Sequence, residues 1–341
     1  MAYHSGAALE KVLEQGKGIE FSGGHVTGRY ENLERAVFEG CTINAEFPNL
    51  KVMKIRKSVV GSAIPKTLEY LEMESTELNV PLSDMHYLKC LHVDDIPQGE
   101  FPALEHLWSA NNLPDACLPH MPAIKSLAIG NMHTIDIEHL STLENLCIGG
   151  LDELNVKNDN VIHLMLLGSI GTAEFPNAQR VHVNGFVENL YVPQAKELII
   201  YGGARIGRIV CEHLEKLTIY PDRLLETLGL PEEVLRTIKI LVTGYVEDRY
   251  FKLMPNITKL YLTRGCPFPR AILDHPLELL AVEQAYDELY ELKKVGTLVL
   301  RMPKTDDVPP RIHGVNNVVV TRPIQHFELI RPPKWCPFKE C

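Results

Sequence analysis

The segment Phe47-Pro48-Asn49-Leu50-Lys51-Val52-Met53-Lys54-Ile55 decides how this chain folds. Its apolar residues fall at Leu50, three on at Met53, and two further at Ile55. The last two flank Lys54, the period-two mark of a short strand with one face turned inward. Pro48 fixes its own φ and has no N–H to donate. It therefore ends the preceding segment and starts the new strand at a set point.

The same spacing extends in both directions. Gly16-Ile19-Phe21 and Leu33-Ala36-Phe38 precede it; Leu68-Leu71-Met73, Leu88-Leu91-Val93 and Leu104-Leu107-Ser109 follow. Later copies include Leu143-Leu146-Ile148, Val161-Leu164-Leu166, Leu214-Leu217-Ile219, Leu235-Ile238-Ile240 and, last, Val315-Val318-Val320. Seventeen copies begin between residue 16 and residue 315, at intervals of 16 to 22 residues. The entry signal returns in Phe101-Pro-Ala-Leu104, Met121-Pro-Ala-Ile124, Phe175-Pro-Asn-Ala178 and Met254-Pro-Asn-Ile257. Strands recurring in one orientation at so short a spacing cannot pair as hairpins. They are expected to stack in parallel, each coil covering the apolar face of its neighbour.

This pattern resembles the leucine-rich repeat family, whose core reads Leu-x-x-Leu-x-Leu-x-x-Asn/Cys. The resemblance implies a β-dominated α/β solenoid with a single curved parallel sheet of about 17 short strands. The slot eight residues after the first apolar position satisfies loop backbone groups in that family. Here it holds Cys41, Ser58, Thr76, Asn112, Ser169 and Thr243, and elsewhere drifts to Gly203, Gly265 or Ala285. Coils of this length leave too little chain for a full helix on the convex side, so extended or 3₁₀ backs are expected. Short helical turns are expected at 222–228, 248–253, 270–274 and 286–293. One domain, 1–341, follows: an N-terminal cap at 1–15, repeats over 16–321, and a C-terminal cap or tail at 322–341 carrying Phe327, Leu329, Trp335 and Phe338.

Composition narrows the function. The 341 residues carry 44 acidic and 34 basic side chains, a formal charge of −10, which argues against nucleic acid as partner. No apolar run reaches the roughly 18–20 residues that span a bilayer, and the first residues lack a signal-peptide pattern, so a cytoplasmic protein is expected, with delivery into a host cell as an effector left open. The eight cysteines are scattered without a C-x-x-C pair, and read as free thiols rather than a disulfide or zinc framework; whether Cys336 and Cys341 join is open. Fourteen histidines form no H-x-x-x-H spacing, and Gly202-Gly-Ala-Arg-Ile-Gly207 lacks the Lys-Ser/Thr of a phosphate loop. Neither a metal nor a cofactor is expected.

The residue between the second and third apolar slots should face solvent on the concave side. That row and its neighbours place His92, Trp108, Met165, His182, Tyr201, Tyr220 and Tyr261 there, an aromatic density suited to a partner surface. In the copy read as Leu235-Ile238-Ile240 the facing residue is Lys239. The expected function is non-catalytic protein–protein interaction. Glu72, Glu74, Asp94 and Asp95 on adjacent coils resemble a carboxylate pair or cation site, though solvated acidic surface is the expected reading. Two alternatives stand beside protein binding: a parallel β-helix enzyme acting on polysaccharide, tested at Glu74 and Asp94, and a self-assembling structural protein.

Overall fold

The computed structural model describes residues 18–79, 82, 85–95, 100–109, 120–132, 135–220, 228–263, 265–284, 286–301, 312 and 314–321. Both expected caps, and Asn112, Cys117, Cys336 and Cys341, lie outside the described residues. The chain divides into two compact units, Met1–Glu144 and Asn145–Cys341.

The first unit holds β1 (Gly18–Arg29), β2 (Arg35–Glu46), β3 (Val52–Arg56), β4 (Val59–Val60), β5 (Tyr70–Glu74), β6 (Glu77–Leu78), β7 (Cys90–Val93), β8 (His106–Ser109) and β9 (Ser126–Met132). The second holds β10 (Asn145–Lys157), β11 (His163–Glu174), β12 (Arg180–Tyr191), β13 (Glu197–Ile200), β14 (Arg205–Val210) and β15 (Lys216–Ile219). It continues with β16 (Ile240–Thr243), β17 (Lys259–Leu262), β18 (Leu277–Val282), β19 (Val295–Arg301) and β20 (Val315–Thr321). Helical structure among the described residues is slight. It comprises α1 (Glu232–Leu235), α2 (Asp248–Lys252) and 3₁₀ turns at Arg270–Ile272 and Asp287–Glu291. Three of the four expected helical stretches contain one of these turns, whereas most of 222–228 lies outside the described residues. The architecture is a strand-dominated parallel β-solenoid.

Within each unit the triplets stack in register. Ala36 pairs with Met53, Met53 with Leu71, and Leu91 with Leu107. Leu146 pairs with Leu164, Leu198 with Leu217, and Leu298 with Val318. Most first, second and third slots are buried and make the core. A fourth core slot opens each proline-marked coil: Phe47, Phe101, Met121, Phe175 and Met254 are all buried. The reason is a β-turn. The N–H of Leu50 donates to Phe47 O at 3.3 Å and that of Ala178 to Phe175 O at 3.1 Å, with proline at the second turn position, where its fixed φ fits.

Two expectations need correction. There are twenty strands among the described residues rather than seventeen, and they are not all short. β4, β6 and β14 fall outside the triplets, and β1, β2, β10, β11 and β12 run for 12 or 13 residues. These coils carry two ladders: β4 pairs with β2 and β6, and β14 with the distal half of β12. The bend between ladders lies seven residues after the first slot. It is occupied by Gly23, Gly40, Gly150, Gly168 and Gly185, and by Lys57 and Ser75 at φ near 50°. The second correction is the copy read as Leu235-Ile238-Ile240. Leu241 pairs with Leu217 and Thr243 with Ile219, so the triplet is Ile238-Leu241-Thr243. Leu235 belongs to α1, whose i,i+3 spacing to Ile238 mimics the repeat. Val242, not Lys239, therefore occupies the middle row.

The inter-coil polar ladder also lies away from its expected slot. Cys41, Ser58 and Thr76 do serve turn backbone in the first unit: Ser58 Oγ accepts from Cys41 N at 3.0 Å and donates to Arg56 O at 2.7 Å. Thr243 instead fills an inward slot. The residue just before the first slot does more. Asn49, Asn177 and Asn256 donate Nδ2–H to Glu31 O, Asp159 O and Arg236 O at 2.6–2.8 Å, each one coil back. Thr67, Thr142 and Thr237 donate Oγ1–H to Leu50 O, Ile124 O and Leu214 O at 2.7–3.0 Å.

Just after the first slot runs an alternating stripe in the first unit: Glu34, Lys51, Glu69, Lys89, Glu105, Lys125 and Glu144. Each backbone N–H from Lys51 to Glu144 donates to the carbonyl of the stripe residue before it, so opposite charges stack on successive coils. Lys89 Nζ lies 2.9 Å from Glu69, and Lys125 Nζ 2.8 Å from Glu105. Both pairs are solvated, so each contributes little. Lys89→Glu, which sets three acids in a row, should cost about 1 kcal/mol at low salt. Thermal unfolding at low and high ionic strength checks this, because screening should erase the difference.

Candidate binding face

The middle row of each ladder faces away from the apolar slots. In the first unit, His92 and Trp108 sit opposite one another on β7 and β8, both half-buried. Their rings meet edge to face at 5.4 Å. Burial lowers the pKa of His92, against the opposing pull of Glu72, Asp94 and Glu74.

In the second unit the expected residues come together, but less openly than their row implies. Met165, His182 and Tyr201 are 0%, 3% and 7% exposed, which corrects the expectation that they face solvent. A middle-row side chain has a neighbour about 4.8 Å away on each side, and packing along the row takes up much of its surface. Tyr220 and Tyr261 remain half-buried. The Tyr201 hydroxyl lies 3.1 Å from His182 Nδ1, and the Tyr201 and Tyr220 rings stack at 5.2 Å and 16°. Arg180 and Lys216 both bond Glu197, at 2.7 and 2.6 Å, along the row on the other side. Burial brings the His182 pKa down to about 4; Glu197 opposes this, while Arg180, Lys216 and His163 add to it. The imidazole is therefore neutral at pH 7.

The carboxylates have structural partners. Glu72 is buried. Its Oε2 accepts from the Tyr70 hydroxyl at 2.7 Å and from Lys54 Nζ at 2.8 Å, and its Oε1 from Arg56 at 3.0 Å. Burial pushes its pKa up, but the hydrogen bonds from Lys54, Tyr70 and Arg56 outweigh that and hold it at about 2. Glu74 meets Arg56 at 3.4 Å, and Asp94 caps the Ser75 N–H at 2.5 Å, supporting that left-handed bend. Gly202–Ala204 turn from β13 into β14, which holds Arg205–Gly207, with the Ala204 N–H donating to Tyr201 O at 3.0 Å; this is a turn and a strand, not a phosphate cradle.

Among the described residues, Cys41, Cys90, Cys147, Cys211 and Cys266 are buried thiols outside any disulfide. Burial, and for Cys90 the Glu72 charge, raise the Cys90 thiol to about 12. No group of three or more His, Cys, Asp or Glu among the described residues is placed to hold a metal ion. No helix among them is long and apolar enough to cross a membrane. No protein-family model matches the chain, and no curated protein matches it.

Proposed function

We propose that the chain is a non-catalytic scaffold of the leucine-rich-repeat kind that binds another protein, in the cytoplasm, on the outward face of its ladders. The observation that carries this reading is the half-buried Trp108 against His92, together with the stacked Tyr201–Tyr220 pair tied to His182. Aromatic side chains held rigidly by a sheet lose little freedom on association and dominate binding energy where they are partly exposed. Trp108→Ala should weaken partner binding by 2 kcal/mol or so, about thirtyfold, and leave the unfolding midpoint nearly unchanged. Quantitative capture from the native cell with both forms, beside a thermal melt, checks this. Equal loss of binding and stability would make Trp108 a structural residue.

Two observations support other readings. Coils with a second ladder, such as β2–β4 and β12–β14, are closer to a β-helix enzyme than one strand per coil would be. Against that reading, Glu72 is already occupied by two cations and a phenol. Self-assembly draws support from β20, where Val318, Val319 and Val320 are 36–38% exposed although the matching inward slots of β19 are closed. Light scattering over a concentration series separates this from binding to a different partner.

A further inference from the structure

Arg301 ends β19 with its guanidinium 5.8 Å from the centroid of the Tyr261 ring. It is 8% exposed, yet its Nε–H is buried and has no hydrogen-bond partner. Its register partner on β20 is Thr321, and Thr321 Oγ1 is likewise buried and unpartnered. Two orphaned donors thus lie on adjacent strands. The ring face attracts the cation but takes up none of its directed N–H groups. A buried N–H without an acceptor is costly to the fold, so its retention calls for a compensating role.

We propose that Arg301 and Thr321 form a receptor for one carboxylate of a peptide partner, with Tyr261 supporting the guanidinium from below. The Nε–H, an Nη–H and the threonine hydroxyl supply three donors to a planar, singly charged acceptor, which the fixed fork of arginine matches. A phosphate dianion fits worse. The site has one arginine, Glu283 follows β18 on the strand between Tyr261 and Arg301, and the chain carries a net charge of −10. The inference rests on the protein-binding reading and names the chemistry recognised in the second unit. It fails separately from Trp108, which lies in the first.

The test uses the full chain. Sodium acetate should shift the Arg301 Nε–H resonance saturably, and sodium chloride at equal ionic strength should not. Thr321→Val should weaken the acetate effect at least about tenfold. An amidated peptide with an internal glutamate and a glutamine-containing peptide with a free C-terminus tell a side-chain carboxylate from a terminal one; saturable binding of either supports the site. Arg301→Met should abolish the acetate response at the Thr321 amide and raise the unfolding midpoint by a few degrees, because a buried donor without an acceptor has been removed. An Arg301→Met protein that melts earlier would mean the guanidinium is satisfied within the fold. That result, or an acetate response no different from chloride, overturns the proposal.

Discussion

Replacing Gly168 by alanine should destabilise the second unit by about 3 kcal/mol or more, read as a lower denaturant midpoint. Gly168 sits at the bend between ladders with φ 73°, where a side chain is strained by roughly 1–2 kcal/mol. Its Cβ would also stand 2.4 Å from Gly150 O and 3.2 Å from Gly150 N. Those atoms are backbone of the neighbouring coil, and they can retreat only by parting β10 from β11. Gly203 is the control. Its φ is 84°, but a Cβ there meets nothing within 4 Å, so Gly203→Ala should show the conformational strain alone. Equal losses for the two would disprove the glycine stack as a steric requirement. Gly185, whose Cβ would come 2.1 Å from Gly168 O, should behave like Gly168.

Acidification should remove stability in two separate windows. His182 has its folded pKa lowered to about 4 from an unfolded value near 6.5. Above 6.5 both states are neutral and the group has no effect. As pH falls from 6.5 to about 4 the unfolded chain takes up the proton and the folded chain does not, so about 3 kcal/mol is lost at most. Glu72 has its folded pKa lowered to about 2 from 4.5. Its contribution is complete above 4.5 and disappears as pH falls towards 2. It amounts to about 2 kcal/mol once the half-exposed Arg56 is discounted for solvent screening. Urea unfolding from pH 8 to 3 checks both. His182→Asn should flatten the upper window and Glu72→Gln the lower, each lowering stability at pH 7. A profile unchanged by His182→Asn would mean that folding leaves the imidazole's pKa where it is in the unfolded chain.

The strand positions were legible because each one has to hide three apolar side chains, and that demand leaves a periodic trace. In sixteen of the seventeen triplets the second and third slots fall on a strand; Gly16, which opens the first, lies outside the described residues. The exception, at 235–240, arose because a helical turn and the repeat share a spacing of three. The second ladder was missed because its strands are written in weaker terms: Val59–Val60 and Glu77–Leu78 are two residues long and carry no alternation worth counting. The bend slot seven residues on left a trace in Gly23, Gly40, Gly150, Gly168 and Gly185, all visible once the phase is known. Lys57 and Ser75 at the same slot obscure the pattern.

The candidate site was less legible. Period two put Trp108, His182 and Tyr261 in the row between the inward slots, but periodicity gives direction and not depth. That Met165 and His182 are buried while Tyr220 and Tyr261 are only half-buried depends on the side chains beside them one coil away. The orphaned donors of Arg301 and Thr321 could not be read from the chain either, since an unmet hydrogen bond is a property of surroundings.

By itself, then, the sequence determined the coil length, the parallel stacking and the identity of the core, because apolar burial repeats with the backbone's own period. Only the tertiary structure decided where coils carry a second ladder, which glycines touch, and which polar groups end up paired or alone. Those outcomes depend on distances between residues some 16 to 24 positions apart, and a linear pattern does not carry distances.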